Sequence, residues 1–101
     1  MSASPPAVSR ALRAVGINLA TQRKLLGLTA QMVAQRAGIS QPTLTKLERG
    51  EGTSLDIALR VMRVLGLMDA VVRATDPYET PRGRLMAGEI LPTRVRVPRR
   101  E

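Results

Sequence analysis

From Val8 onward, apolar residues recur at Val8, Leu12, Val15, Leu19 and Leu26, in steps of three, four or seven that lay them along one face of a helix. Gly16 interrupts this stripe at a cost of about 1 kcal/mol relative to Ala, so stable helix is expected only from near Val15, and Gly27 is placed to end it. Thr29 can cap a second helix through Val33, Ala34 and Ala37, which Gly38 stops after about two turns. Ser40 then offers its hydroxyl to an orphan amide of a third helix. Pro42, at that helix's second position, lacks only an N–H that would have had no intrahelical partner. Gly50 and Gly52 close this element. Thr53 or Ser54 caps a fourth helix, with Asp56 in its positive first turn and an inner stripe of Leu55, Ala58, Val61, Met62 and Leu65 that ends at Gly66. A fifth helical piece, Leu67 to Ala74, puts Met68, Val71 and Val72 on one side. It stops at Asp76-Pro77, because the residue before proline is pushed out of the helical region.

Beyond Pro77 the periodicity fails. Pro81-Arg82-Gly83-Arg84 is followed by a possible helical turn at Leu85-Met86-Ala87, and the alternation around Val95 and Val97 makes a strand only if something offers it an edge. Free in solution such a segment is expected to be disordered. The pattern therefore divides the chain into a flexible N-terminal segment (1–6), a folded helical domain (7–75) and a Pro/Arg-rich tail (76–101). The fold class is all-α: a compact five-helix domain with a mostly irregular, basic tail. A domain that small buries only roughly 60% of its unfolded surface and gains from a partner subunit, so a homodimer is expected. Met68, Val71 and Val72, with little left to bury against inside one subunit, are the candidate dimer interface.

Charge changes this picture from a small bundle to one with a polyanionic partner. The formal net charge is +8 and the pI about 11.6, with ten Arg/Lys against four acids in residues 1–75 and six against four in 76–101. Tyr78 is the only aromatic residue, so the stacking platforms that single-stranded nucleic acid readers use are missing, and duplex DNA is favoured. The absence of Cys and His removes disulfides, thiol nucleophiles, imidazole bases and nearly all transition-metal sites. Glu48, Glu51, Asp56 and Asp69 show no paired-carboxylate spacing, and no Gly-rich phosphate loop follows a strand. Neither an enzyme nor a cofactor is expected. No charge-free run approaches a membrane span and Met1-Ser2-Ala3-Ser4-Pro5-Pro6 has no apolar signal core, so a cytoplasmic location without a membrane partner is expected.

The second and third helices share a spacing: Ala34, Gly38 four residues on, Leu44 six further and Leu47 three after that. Ala34 is small where two helices cross, Gly38 suits the left-handed residue of a tight turn, and Leu44 with Leu47 face the core. Gln41, Pro42, Thr45, Lys46 and Arg49 are left facing out. The bland alternative is an αα-corner with a solvated face. A helix held by two apolar contacts, with an outer face of amide, hydroxyl and cation, suits instead the major groove, whose base edges offer acceptors, donors and thymine methyls.

Leu28-Thr29, Val33-Ala34, Ala37-Gly38-Ile39-Ser40, Leu44, Leu47-Glu48-Arg49-Gly50 and Ser54-Leu55 with Leu65-Gly66-Leu67 resemble, in order and register, the XRE family of regulators, the lambda-repressor/Cro type of helix-turn-helix. The resemblance covers roughly residues 14–67. It implies a third helix that enters the major groove, usually in a dimer on a partly palindromic operator. By resemblance to the phage repressors, Gln41, Pro42 and Lys46 hold positions that read bases, with Thr45 on the same face, while Thr43 and Arg49 lie near phosphates. Many relatives carry a phosphate-binding Gln directly after the Thr that caps the second helix; here that position is Ala30 and the glutamine is Gln31.

The same resemblance implies an ion pair between Arg23 of the first helix and Glu48 of the third, against the alternative of two solvated charges. The segment after Leu67, with Asp76-Pro77-Tyr78-Glu79-Thr80 and a basic end, looks like the tails of small regulators encoded beside HipA-type kinase toxins. Two functions of different class are therefore carried forward: a transcriptional repressor alone, or an antitoxin that also binds a toxin through residues 76–101. A helical adaptor with an idle polar face is the third reading.

Overall fold

A computed structural model describes residues 4–90, all of whose regular elements are helical. The chain divides after Met68 into two compact units.

The first unit holds α1 (Pro6–Leu25), α2 (Ala30–Ala37), α3 (Gln41–Glu48) and α4 (Leu55–Val64). Its core is Leu19, Val33, Ala34, Ala37, Leu44, Leu47, Val61 and Leu65, with Val33, Leu44 and Val61 fully buried at its centre. α2 packs on both α3 and α4, and α1 packs on α3. Each short helix is started by a hydroxyl that accepts from an amide three residues on. Thr29 takes the Met32 N–H at 3.1 Å, Ser40 that of Thr43 at 3.2 Å and Ser54 that of Ile57 at 3.1 Å.

Two expectations about this unit are corrected. α1 does not begin near Val15 but runs unbroken from Pro6 through Gly16, because Gly16 is a contact point and not a break. A Cβ there would stand 2.5 Å from the Glu48 carbonyl oxygen and 2.6 Å from that of Leu47. Only Leu19 of the α1 stripe is fully buried; Val8, Val15 and Leu26 are exposed. Leu55 is not part of the inner stripe of α4 either. It follows the Ser54 cap directly, where α4 overhangs the core, and is 70% exposed; Ile57 is half-buried in the same first turn.

α5 (Met68–Ala74) starts at the division, and the second unit holds the rest of it, a 3-10 turn (Pro77–Glu79) and α6 (Pro81–Ile90). Asp76 caps the 3-10 turn by accepting from the Tyr78 N–H at 2.9 Å, and Thr80 starts α6 by accepting from the Gly83 N–H at 2.9 Å. The segment expected to be mostly irregular, with one helical turn at 85–87, thus forms a ten-residue helix. A hydroxyl cap followed by proline at the first helical position is what starts it. The alternation around Val95 and Val97 lies outside the described residues.

Candidate nucleic-acid interface

The interface is built from α2, the turn after it and α3. Gly38 adopts the left-handed conformation (φ 71°, ψ 34°), and the Ile39 N–H returns to the Ala34 carbonyl at 3.0 Å, so the chain reverses within three residues. Ser40 and Thr43 lock the entry to α3 with a second contact, Oγ to Oγ1 at 2.8 Å. Pro42 occupies the first turn without disturbing it. Leu44 and Leu47 are buried, which fixes the rotation of α3 and turns Gln41, Pro42 and Lys46 to solvent.

The remaining candidates divide by environment. Thr45 is half-buried and its hydroxyl donates to the Gln41 carbonyl at 3.1 Å, leaving its methyl and lone pairs for an external group. Thr43 is half-buried and committed to Ser40. Gln31 is exposed in the first turn of α2. Arg49 is exposed just past the end of α3, with only a 3.9 Å contact to the exposed Glu51, a pair worth little in water. Met68 and Val71 are half-buried and Val72 is exposed; no residue of α5 is fully buried.

Arg23 and Glu48 meet in a two-pronged ion pair, Nε to Oε2 at 2.8 Å and Nη2 to Oε1 at 3.1 Å. Their side chains are 13% and 15% exposed, so these are not solvated charges. Arg23 also donates to the Leu28 carbonyl at 3.3 Å, so one guanidinium ties α1, the α1–α2 turn and the end of α3. The hydrogen bonds that Arg23 donates to Glu48, against the penalty of burial, hold it above its ordinary pKa, so it stays charged at any working pH. Such a fork fixes orientation more than it adds net stability.

Arg60, which sequence reasoning passed over, donates to Asp56 at 3.2 Å and brings its guanidinium beside the Gly38 turn, 3.6 Å from where a Cβ would stand. The four-residue spacing of Asp56 and Arg60 was the available signal. Among the described residues no cluster of acidic side chains could hold a metal ion, and no helix is long and apolar enough to cross a membrane.

Residues 19–68 match the family model described as Helix-turn-helix, a family of DNA-binding regulatory domains and not of enzymes. No curated protein and no solved structure matches the chain. The matched segment spans the last turns of α1 through α4 and contains the left-handed turn, the hydroxyl-capped α3 and its two buried leucines. By these residues segment 19–68 belongs to the helix-turn-helix family, which supports an XRE-type DNA-binding transcription regulator.

Proposed function

We propose that the protein is a sequence-specific repressor that binds duplex DNA in the cytoplasm as a homodimer, with α3 in the major groove. The observation that carries this reading is α3 itself. Two buried leucines hold it, while the Gln41 and Lys46 side chains stand exposed with no hydrogen-bond or ion-pair partner among the described residues. Gln41 then pairs bidentately with adenine, Lys46 donates to guanine, and Pro42 with the Thr45 methyl offers apolar contact to thymine. Thr43, Arg49 and Gln31 serve the phosphates, which position without specifying. The face of α5 with the half-buried Met68 and Val71 and the exposed Val72 pairs the two copies and sets half-sites about one helical turn apart, roughly 34–36 Å.

The test is selection of bound sites from random duplexes by the wild-type protein and by Gln41→Ala and Lys46→Ala. The wild type should recover a partly palindromic motif, and each variant should relax it at particular base pairs. Folded variants that recover the wild-type motif unchanged would remove α3 as the reader.

A specific feature favours a second reading, the antitoxin. α6 exposes Leu85, Met86 and Ile90, an apolar face on a folded element that DNA contact does not use. On that reading residues 76–101 bind a HipA-type toxin, and a chain ending before Asp76 still represses but no longer rescues cells from the toxin.

A further inference from the structure

A trough of about 470 Å³ lies in the first unit between the N-terminal half of α1 and the start of α4, away from the exposed face of α3. Leu47 closes its base, Ala7, Ala11 and Ala58 keep it wide, and Val8, Val15 and Leu55 stand along it with 46%, 40% and 70% of their surface exposed. Three branched aliphatic side chains left this open around one concavity make a strip and not scattered surface residues. The polar lining is confined to Thr53 and Ser54, and Ser54 already holds the Ile57 amide. Neither a phosphate backbone nor a base edge finds a partner there. From Ala7 to Val15 the trough runs about 12 Å along α1 at the helical rise, which suits two turns of a docked helix anchored at i, i+3 or i+4 and i+7.

Charge selects whose helix it is. Of the cations on the helices that form the trough, α1 and α4, Arg23 is paired with Glu48 and Arg60 with Asp56, while Arg10, Arg13, Lys24 and Arg63 have no ion-pair partner among the described residues. The first turn of α1, at one end of the trough, has no acidic residue to offset the positive end of the helix. Arg10 follows Ala7 by three residues and so flanks the trough on α1. Among the described residues no α-helix has a net negative charge: α3 and α5 are neutral and the other four are positive, while the sequence of residues 91–101 contains four arginines against Glu101. A second copy would bring like charges together. We infer that the trough is a docking site for an acidic amphipathic helix of another protein, its apolar residues seated between α1 and α4 and its carboxylates beside Arg10 and the first turn of α1.

The probe is a labelled synthetic peptide of about 14 residues, roughly four helical turns, with leucines at helical spacing and glutamates elsewhere. A second peptide replaces the glutamates with lysines. With the full-length protein, the glutamate peptide should bind saturably and more weakly as salt rises, and the amide resonances that shift should be those of residues 7–15 and 53–58. Leu55→Glu, at an exposed site that leaves melting unchanged, should weaken binding roughly tenfold or more, as the loss of an anchor does. Arg10→Glu should weaken it several-fold. The inference is overturned if the lysine peptide binds as well, if Leu55→Glu binds normally, if the shifts fall elsewhere, or if no saturable binding occurs. It is also overturned if Leu55→Glu dissociates a dimer of the protein, which would make the trough the interface between copies. DNA binding by Leu55→Glu should match the wild type, so failure here leaves the DNA-binding reading standing.

Discussion

Gly16 in α1 and Glu48 at the end of α3 meet backbone to backbone: a methyl group on Gly16 would stand 2.5 Å from the Glu48 carbonyl oxygen. α3 is seated on α1 by this contact at its C-terminal end and by the Arg23 fork on the Glu48 side chain. Gly50, with φ 73° and the Arg13 backbone 2.6 Å from its own missing methyl, continues the seat. A glycine that costs helix propensity thereby sets how closely α1 approaches the element that carries the candidate base contacts.

Gly16→Ala should therefore destabilise the protein even though alanine is the better helix former. Propensity favours the change by about 1 kcal/mol, but forcing backbone atoms apart in a packed contact costs about 1–3 kcal/mol and more where nothing can yield. The atoms in the way are backbone, so the cost lies in the upper part of that range, and a net loss of roughly 1–2 kcal/mol lowers Tm by about 4–16 °C for a domain of this size. Gly88→Ala in α6 is the control, because nothing lies within 4 Å of its missing methyl, and it should raise the stability of α6 by about 0.5–1 kcal/mol. Thermal melting of the two variants with opposite signs is the expected result; equal signs would show that the close approach is not a constraint.

The ion pair makes an asymmetric prediction. Glu48→Met leaves Arg23 largely buried with only the Leu28 carbonyl, whereas Arg23→Met leaves the Glu48 carboxylate and the Leu28 carbonyl both without their donor. Each should cost about 1–3 kcal/mol, below the figure for a fully buried pair because both side chains keep some water, with Arg23→Met the worse. The double variant should lose less than the sum. Denaturant melts of the four proteins measure this, and strict additivity would mean that the fork contributes nothing through the pairing itself.

The features legible in the sequence are those decided within a few residues. Thr29, Ser40 and Ser54 announce their helices because the cap and the amide it binds are three positions apart, and Gly38 announces the turn because few other residues take its φ. The exposed set Gln41, Pro42 and Lys46 follows from the spacing of Leu44 and Leu47. What was not legible depends on a partner elsewhere in the chain. Nothing near Gly16 says that α3 passes against it. Periodicity assigned Leu55 to the inner stripe because it reports a face and not where the core ends along that face. α6 was hidden because Gly83 and Gly88 lower its propensity while its cap, Thr80, lies outside the apolar run. The Arg23–Glu48 pair came from the family resemblance, since a separation of 25 residues has no local signature.

Dimerisation is tested at Val71, half-buried on the candidate face of α5. Val71→Asp should give monomers by sedimentation and lose most affinity for a full operator, because one half-site supplies half of the contacts. An unchanged dimer would move the interface away from Met68, Val71 and Val72.

The residues around α3 should give different symptoms when altered one at a time. Gln41 and Lys46 are exposed within its two turns, where side chains reach base edges, so each alanine substitution should cost about 1–3 kcal/mol on the preferred duplex and little on random duplexes. Arg49 lies past the end of α3 and is bound only weakly by Glu51, so its loss should weaken all duplexes about equally. In a dimer that neutralises about six phosphates, log affinity should fall with log salt at a slope near −5, and Arg49→Ala should make that slope shallower by roughly one unit in each subunit, about two for the dimer. Leu47 points the other way, into the core, and Leu47→Ala should lower stability by about 2–5 kcal/mol before it affects specificity. Salt titrations on a preferred and a random duplex separate the three behaviours. If Arg49→Ala changes base preference while Gln41→Ala and Lys46→Ala change only the salt slope, the assignment of reading and anchoring residues is reversed, and the base edges are met from the C-terminal end of α3.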